Sequence, residues 1–205
     1  MSKNGDGQFG QEWYDRKTLL MEKLLGKEHE IVMHAVTPYE LGGALDLYYY
    51  PNGISGTAVA TKECSESPDE GSTNAFFDVY ELVMFTKHGL SIDDANDEST
   101  PFGRVHSNID SILNSVAPYS AQAKLNRFET CEFPEDMKTL GGKCLIFDTY
   151  GVEPTSKLPF GLLVVIEVFR SEMEFAHENG GSKLIARLTI AGHYPYSDME
   201  REPVV

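Results

Sequence analysis

The sequence predicts a single α+β domain in which a mixed, mostly antiparallel β-sheet is flanked by helices. The chain has 205 residues, of which 41% are hydrophobic and 24% are charged, and this balance is ordinary for a globular domain with a sizeable core. Short β-branched runs typical of strands occur beside longer segments with helical periodicity. Because the two kinds of segment do not strictly alternate, the pattern favours an α+β fold over a doubly wound parallel sheet.

The N-terminal part of the chain predicts a polar tail followed by a helix. Residues 1–11 are polar and glycine-rich and predict a disordered segment, which leaves 12–205 as the domain. From Glu12 to Leu25 the apolar side chains approximate helical spacing, and Gly26 supplies a stop. A short strand is predicted from Ile31 to Val36.

A β-hairpin and a longer strand are predicted next. The pair Asn52-Gly53 readily adopts positive φ and lies between the extended segments Ala44 to Tyr50 and Thr57 to Thr61. The polar stretch Ser65 to Thr73 is predicted to be a loop. The alternating pattern from Phe76 to Thr86 predicts a strand that carries an acidic side chain at its middle.

The central part of the chain predicts one helix and two strands. The apolar face of Phe102 to Ala117 predicts a helix that Pro118 closes. Lys124 to Gly142 is irregular, and Cys144 to Tyr150 predicts a strand. The unbroken apolar run in Phe160 to Phe169 predicts a central strand that is buried on both faces.

Two helices are predicted after this strand. Ser171, with Glu174 three residues later, predicts a helix start, and Gly180-Gly181 predicts its end. Ser182 then predicts the start of a second short helix that stops at Gly192.

Charge and cysteine content limit the kinds of partner and cofactor. The formal net charge of −15 argues against non-specific binding to nucleic acid or to an anionic membrane, because both would repel the chain. The three cysteines form no CxxC pair, which predicts neither a zinc site nor a disulfide framework, and no cofactor is predicted. There is no signal-peptide pattern and no run of about 20 apolar residues, so the sequence predicts a cytoplasmic protein.

No complete catalytic motif is present, so the sequence predicts that the protein is not an enzyme. Glu174 and His177 have the spacing of one di-iron ligand pair, but that site needs a second copy and further glutamates. Cys144 follows two glycines and opens an apolar strand, which indicates packing rather than nucleophilic chemistry. A hydrolase or metal-dependent enzyme that uses Glu174, His177, His106 or Cys144 stays open as an alternative.

Acidic and aromatic side chains are the candidate partner-binding residues. The acidic group is Asp93, Asp94, Asp97 and Glu98, in a loop that fails the EF-hand pattern and is either a solvated loop or a hard-cation site. Tyr49, within three consecutive tyrosines, and Tyr194 are the candidate aromatic anchors. Core packing is the alternative for these rings.

Several stretches, taken in order, resemble the bacterial proteins that carry a Suppressor of fused domain. They are LDLYYYPNGISGTAVATKE (45–63), VYELVMFTKHGL (79–90), ILNSVAPYS (112–120), ETCEFPEDM (129–137) and FGLLVVIEVFRSEMEFAHENGG (160–181). The resemblance implies an α+β domain that binds proteins. In bacteria it implies an immunity protein that neutralises a toxin, and in animals a cytoplasmic inhibitor that sequesters zinc-finger transcription factors. No second, C-terminal module is identified in the sequence, and no peptide-contact residue of the family matches a position here.

The sequence therefore predicts a non-catalytic intracellular protein-binding domain that serves as an immunity protein, with a basic toxin domain as partner. A self-associating structural module, which would form a homo-oligomer, is a further alternative.

Overall fold

The fold is built on one large β-sheet, seen in a computed structural model that describes residues 5–67, 70–153 and 160–205. Within these ranges the strands are β1 (Val32–Met33), β2 (Leu47–Tyr50), β3 (Thr57–Ala60), β4 (Ser65–Ser67), β5 (Glu70–Gly71), β6 (Val79–Thr86), β7 (Thr130–Glu132), β8 (Cys144–Glu153) and β9 (Phe160–Val168). Seven of them form the sheet in the order β1-β2-β3-β6-β9-β8-β7, and β4 and β5 form a separate ribbon. Neighbouring strands of the sheet are antiparallel except for β6 and β9, which are parallel.

Helices cover both faces of the sheet. The described helices are α1 (Gly5–Leu25), α2 (Pro101–Ser120), α3 (Arg170–Asn179) and α4 (Gly181–Ile190), with a short 3-10 helix at Tyr39–Leu41. Apolar side chains of α1, α3 and α4 pack with one face of the sheet, and those of α2 pack with the other. The molecule therefore has three layers and two cores, as a mixed sheet flanked by helices requires.

The central strand β9 is buried along its whole length, as predicted. Leu162 and Val164 belong to the core under α1, α3 and α4, whereas Leu163 and Val165 belong to the core under α2. Successive side chains of a strand point to opposite faces, so an unbroken apolar run is what a strand between two helical layers needs.

The strand β6 also follows its predicted alternation, with one exception to the apolar pattern. Val79 and Val83 pack in the core on the α1 side, and Glu81 lies between them on the same side of the strand. This acidic side chain is 0% exposed. It pairs with Lys17, which lines the pocket described below.

Two N-terminal predictions need correction. The helix α1 begins at Gly5, within the segment 1–11 that was predicted to be disordered; residues 1–4 lie outside the described ranges. A hydrogen bond from Gln11 to Asp15, four residues later, supports its polar first turns. The stretch 65–73 contains the ribbon β4–β5, which the pattern could not indicate because its strand residues are polar or glycine.

Helix ends and one short strand also differ from the prediction. Pro118 lies inside the last turn of α2 and does not end the helix. Its missing N–H removes one hydrogen bond, but the helix continues past it, since the Ala121 N–H still donates to the Ala117 carbonyl. The helix α3 begins at Arg170, and the Glu172 carboxylate, not that of Glu174, accepts from the backbone N–H at the helix start. The irregular region 124–142 contains β7.

Candidate partner-binding site

The acidic loop, residues 91–100, precedes α2 and presents its carboxylates to solvent. Of the predicted binding residues, Asp93, Asp97 and Glu98 are exposed and Asp94 is half-buried. Three of these carboxylates accept hydrogen bonds, from Ser91 Oγ to Asp94 (2.6 Å), from the Ser99 N–H to Asp97 (2.9 Å) and from Ser107 Oγ to Glu98 (2.7 Å). Hydrogen bonding from Ser99 lowers the pKa of Asp97. The loop is therefore an ordered anionic surface.

Gly103 allows the acidic loop to pack closely on the first turn of α2. Its N–H donates to the Thr100 hydroxyl, which caps the helix, at 3.0 Å. A Cβ added at Gly103 would lie 2.0 Å from the Asp97 carbonyl oxygen and 2.5 Å from that of Asp94. Only glycine permits this approach without movement of the loop.

Tyr49 lies beneath the acidic loop and not on the surface. Its side chain is 1% exposed, and its hydroxyl lies 2.8 Å from His106 Nε2, while His106 Nδ1 lies 3.0 Å from the Ala95 carbonyl oxygen. Because a carbonyl only accepts, Nδ1 carries the proton and Nε2 accepts from the tyrosine. Burial lowers the pKa of His106, which favours this neutral form, against the opposing charge of Asp110.

The predicted role of Tyr49 as an aromatic anchor is therefore wrong, since a partner cannot reach a ring that the core encloses. Instead, Tyr49 and His106 connect the sheet to the backbone of the acidic loop at Ala95. They hold the loop in place from below.

Tyr194 lies away from the acidic loop. It is half-buried against the core on the α1, α3 and α4 side, whereas the loop belongs to the α2 side. Burial raises the pKa of its hydroxyl, and the charge of Asp148 and a hydrogen bond to that carboxylate raise it further. The structure does not bring the predicted tyrosine and the predicted acids into one surface.

A second site, which was not predicted, is organised by buried Glu81 beneath α1. Lys17, which is 2% exposed, donates to its Oε1 at 2.9 Å. The other donors to the Glu81 carboxylate are the Thr61 hydroxyl, the Cys64 N–H, and the N–H and hydroxyl of Ser65. Lys17 also donates to the carbonyls of Lys62 and Ser65. Both charges of the pair are thus fully surrounded by hydrogen-bonding partners, as a buried ion pair requires.

A pocket of about 390 Å³ opens beside this ion pair, and we call it the α1 pocket. It is lined by Gly10, Trp13, Tyr14, Lys17, Glu40, Lys62, Glu63, Ser65 and Glu66. Its walls combine two aromatic rings from α1 with three acidic side chains: Glu40 from the 3-10 helix, Glu63 from the loop between β3 and β4, and Glu66 from β4. A concave site with apolar walls and a few polar groups is the usual form of a binding pocket.

Lys62 is neutralised within the wall of the α1 pocket. Its ammonium group lies 2.6 Å from a Glu28 carboxylate oxygen and donates to the Thr18 hydroxyl at 2.8 Å. It also lies 4.7 Å from the Tyr14 ring centre and 4.4 Å from that of Tyr48, within the range of a cation–π interaction.

Glu63 is the carboxylate of this pocket whose protonation is most affected by its surroundings. Burial raises its pKa to about 7, and the negative charge of Glu81 is the second cause. The Lys62 N–H donates to it at 3.2 Å, and the Tyr48 hydroxyl lies 3.5 Å away. The surroundings of Glu63 therefore disfavour the ionised form of its carboxylate.

Comparison with known proteins identifies the fold. No family model and no curated protein matches the sequence. A chain in "the Sufu-Fu complex crystal structure" matches over 96% of this chain and 92% of its own length, with a TM-score of 0.63 and 14% sequence identity. The fold is that of Suppressor of fused. A crystal structure of Drosophila Suppressor of Fused matches 75% of this chain and 41% of its own, with 17% identity and a TM-score of 0.48.

The Suppressor of fused-like fold confirms the predicted α+β class and the resemblance in fold. The α1 pocket, in contrast, was missed by sequence reasoning. The sequence feature that pointed to this region was Glu81, an acidic residue in the middle of an otherwise apolar face of β6.

Within this Suppressor of fused-like fold, the residues considered for catalysis lie apart. Glu174 and His177 are exposed on α3, where His177 Nε2 lies 2.8 Å from the Thr130 hydroxyl. His106 supports the acidic loop, and Cys144 is buried, which raises the pKa of its thiol. Among the described residues, no group of three or more His, Cys, Asp or Glu side chains is arranged to hold a metal ion. No helix in the same ranges is long and apolar enough to cross a membrane.

Proposed function

We propose that the chain is a non-catalytic, cytoplasmic protein-binding domain that recognises a basic protein partner. We further propose that the partner is a toxin and that the chain acts as its immunity protein. The observation that carries the proposal is the acidic loop, in which exposed Asp93, Asp97 and Glu98 stand on a buried support.

The rigidity of the loop favours binding because the loop is already ordered in the free protein. Hydrogen bonds fix Asp97 and Glu98, and Gly103 allows the close packing on α2. A preorganised surface loses less conformational entropy when a partner binds than a mobile one. This argument favours a protein-recognition surface over a merely solvated loop.

Charge favours a basic partner. The formal net charge of −15 attracts basic proteins over distances near the Debye length and accelerates their association. A toxin that cleaves nucleic acid needs a basic surface to hold the phosphate backbone, so an acidic protein is a suitable competitor for that surface. Sufu, which has this fold, has been crystallised in a complex with Fu, and this supports protein binding as the role of the fold here.

Co-expression tests the proposal. The chain would be expressed with the protein encoded by the adjacent gene, and copurification and cell survival would be measured. We expect a stable complex that protects the cells. If the two proteins neither copurify nor change survival, the immunity function is refuted.

Charge-neutral variants test the contribution of the loop. The variant Asp93→Asn/Asp97→Asn/Glu98→Gln removes three exposed charges next to α2. The matched control Glu174→Gln/Glu178→Gln/Glu200→Gln removes three exposed charges elsewhere. The loop variant should associate with the partner at least about tenfold more slowly at low salt than the control. Equal rates for the two variants would exclude the loop as the contact surface.

A further inference from the structure

We propose that the α1 pocket is a receptor for one cationic side chain, arginine or lysine, of a protein partner, with Glu63 as the carboxylate that pairs with it. This inference rests on the proposed function, since it assigns part of the recognition of a basic partner to this pocket. It concerns a site that is distinct from the acidic loop, because the pocket lies on the α1 side of the sheet and the loop on the α2 side.

The two lysines in the pocket wall do not supply free positive charge. Lys17 is paired with Glu81 at 2.9 Å and donates to two carbonyl groups, and Lys62 is paired with Glu28 at 2.6 Å. Both lysine side chains are almost completely buried. Neither therefore supplies an accessible cation to the pocket, and the exposed Arg16, whose guanidinium carbon lies 6.0 Å from the Trp13 ring centre, is not among the lining residues.

The accessible charge of the pocket is negative. Glu40 and Glu66 are exposed, and Glu63 is half-buried. Within the described parts of the chain, no ion pair joins any of these three carboxylates to a lysine or an arginine. Charge complementarity therefore selects a cation as the occupant.

Of the three carboxylates, Glu63 is the one whose ionised form a bound cation would stabilise most. Burial and the nearby Glu81 raise its pKa to about 7, so the Lys62 N–H and the charge of Lys17, which act in the opposite direction, compensate the ionised form only in part. A guanidinium or ammonium group placed against it would supply the missing counter-charge, and an arginine would also offer two parallel N–H donors.

The aromatic walls suit the stem of the same side chain. Trp13 and Tyr14 line the pocket from α1, and Tyr14 is partly exposed. Lysine and arginine side chains cover apolar surfaces with their methylene groups while the charged end reaches a polar partner. The volume of about 390 Å³ is within the range of pockets that enclose small ligands. The pocket thus provides both parts of a site for a cationic side chain.

Short peptides test this inference without the natural partner. The probe is acetyl-Gly-Arg-Gly-amide, the lysine peptide is a second probe, and the citrulline peptide is a neutral control of nearly the same shape. Binding is measured by the fluorescence of Trp13, the single tryptophan of the sequence, and by the NMR shifts of the Lys62, Glu63 and Ser65 amides. We expect saturable binding of at least one cationic probe at millimolar concentration and none of the citrulline peptide.

Two variants determine whether the probe occupies this site. Glu63→Gln should weaken probe binding at least about fivefold, whereas Glu174→Gln, the same change on exposed α3, should leave it unchanged. If neither cationic probe shifts the pocket amides, or if the citrulline peptide binds equally well, the inference is overturned. Far-UV circular dichroism confirms that each variant is folded.

The failure of this inference and the failure of the proposed function give different results. A Glu63→Gln protein that binds the basic partner as tightly as the unchanged protein would overturn the pocket inference alone. Specific probe binding in a protein that has no basic protein partner would overturn the proposed function and leave the pocket as a receptor for cations.

Discussion

The substitution Lys17→Met tests the buried ion pair that fastens α1 to the sheet. Methionine is also unbranched and only one atom shorter than lysine, but it removes the charge and its three donors. In the native structure the lysine lies 2.9 Å from Glu81, which is 0% exposed between the apolar residues of β6. The variant leaves this carboxylate buried without its counter-charge.

The expected cost follows from this environment. Removal of one partner of a buried ion pair destabilises a protein by about 3–5 kcal/mol, because the remaining charge is desolvated without compensation. The Ser65 carbonyl also loses a donor at 2.7 Å. Four other donors to Glu81 remain, so the cost is expected near the lower end, about 3 kcal/mol. This is a large part of the roughly 5–15 kcal/mol that a domain of this kind has in total.

Urea unfolding measures the effect, with Trp13 fluorescence and far-UV circular dichroism as independent probes. Lys183→Met is the matched control, because it makes the same change on the exposed side of α4 and should alter the free energy of unfolding by about 0.5 kcal/mol or less. A cost below about 1 kcal/mol for Lys17→Met, or equal costs for the two variants, would refute the role assigned to the ion pair.

Three further predictions concern the acidic loop and the α1 pocket. Gly103→Ala should lower stability by about 1–3 kcal/mol in thermal melting, because an added Cβ would lie 2.0 Å from the Asp97 carbonyl oxygen. Tyr49→Phe should cost about 1 kcal/mol in urea unfolding, because buried His106 Nε2 loses its donor. Glu63→Gln should stabilise the protein by on the order of 1–3 kcal/mol at pH 8 and by little at pH 4.5. Burial and Glu81 raise the folded-state pKa to about 7 from 4.5, so native stability falls as the pH rises through this interval, and the glutamine variant lacks this loss.

Each of these predictions has a control with the same chemical change. Gly89→Ala adds a Cβ that meets nothing within 4 Å, and Tyr119→Phe changes a tyrosine that is 52% exposed. Both should be close to neutral. Glu174→Gln, on the exposed side of α3, should show no comparable gain at pH 8. A Gly103→Ala protein as stable as its control, a Tyr49→Phe protein without loss, or a Glu63→Gln effect that does not depend on pH would contradict the corresponding assignment.

Hydrophobic periodicity predicted the strands and helices whose burial can be read from the pattern of neighbouring residues. The apolar run of β9 indicated burial on both faces, and the apolar face of α2 is occupied by Ile109, Ile112, Leu113 and Val116, as expected. The hairpin of β2 and β3 formed as predicted, but the loop residue with positive φ is Gly56 (φ 103°) and not Asn52 or Gly53. These features depend on neighbours within a few residues, which a sequence displays directly.

The candidate site was harder to predict because its contacts join distant parts of the chain. Glu81 lies 64 residues from Lys17, and the ring of Tyr49 meets His106 57 residues away. Lys17 lies on the apolar face of α1, four residues after Trp13 and three before Leu20. This position was the sequence feature that indicated its burial. Without the paired partner, a lysine on an apolar face and an acid on an apolar strand remain two separate exceptions to a pattern.

The buried ion pair and the α1 pocket are parts of one arrangement. A well-packed apolar pair at positions 17 and 81 would often match or exceed the stability of an ion pair, so stability alone does not account for these two residues. The ion pair also fixes the position of α1 along its own axis relative to the sheet. Lys17 can reach both Glu81 and the Ser65 carbonyl only when the helix lies at this position. A shift of α1 by one turn, about 5.4 Å, would break these bonds and move the rings of Trp13 and Tyr14 away from Glu63. The charge inside the fold therefore fixes the shape of the acidic pocket that we propose as a receptor for a basic partner.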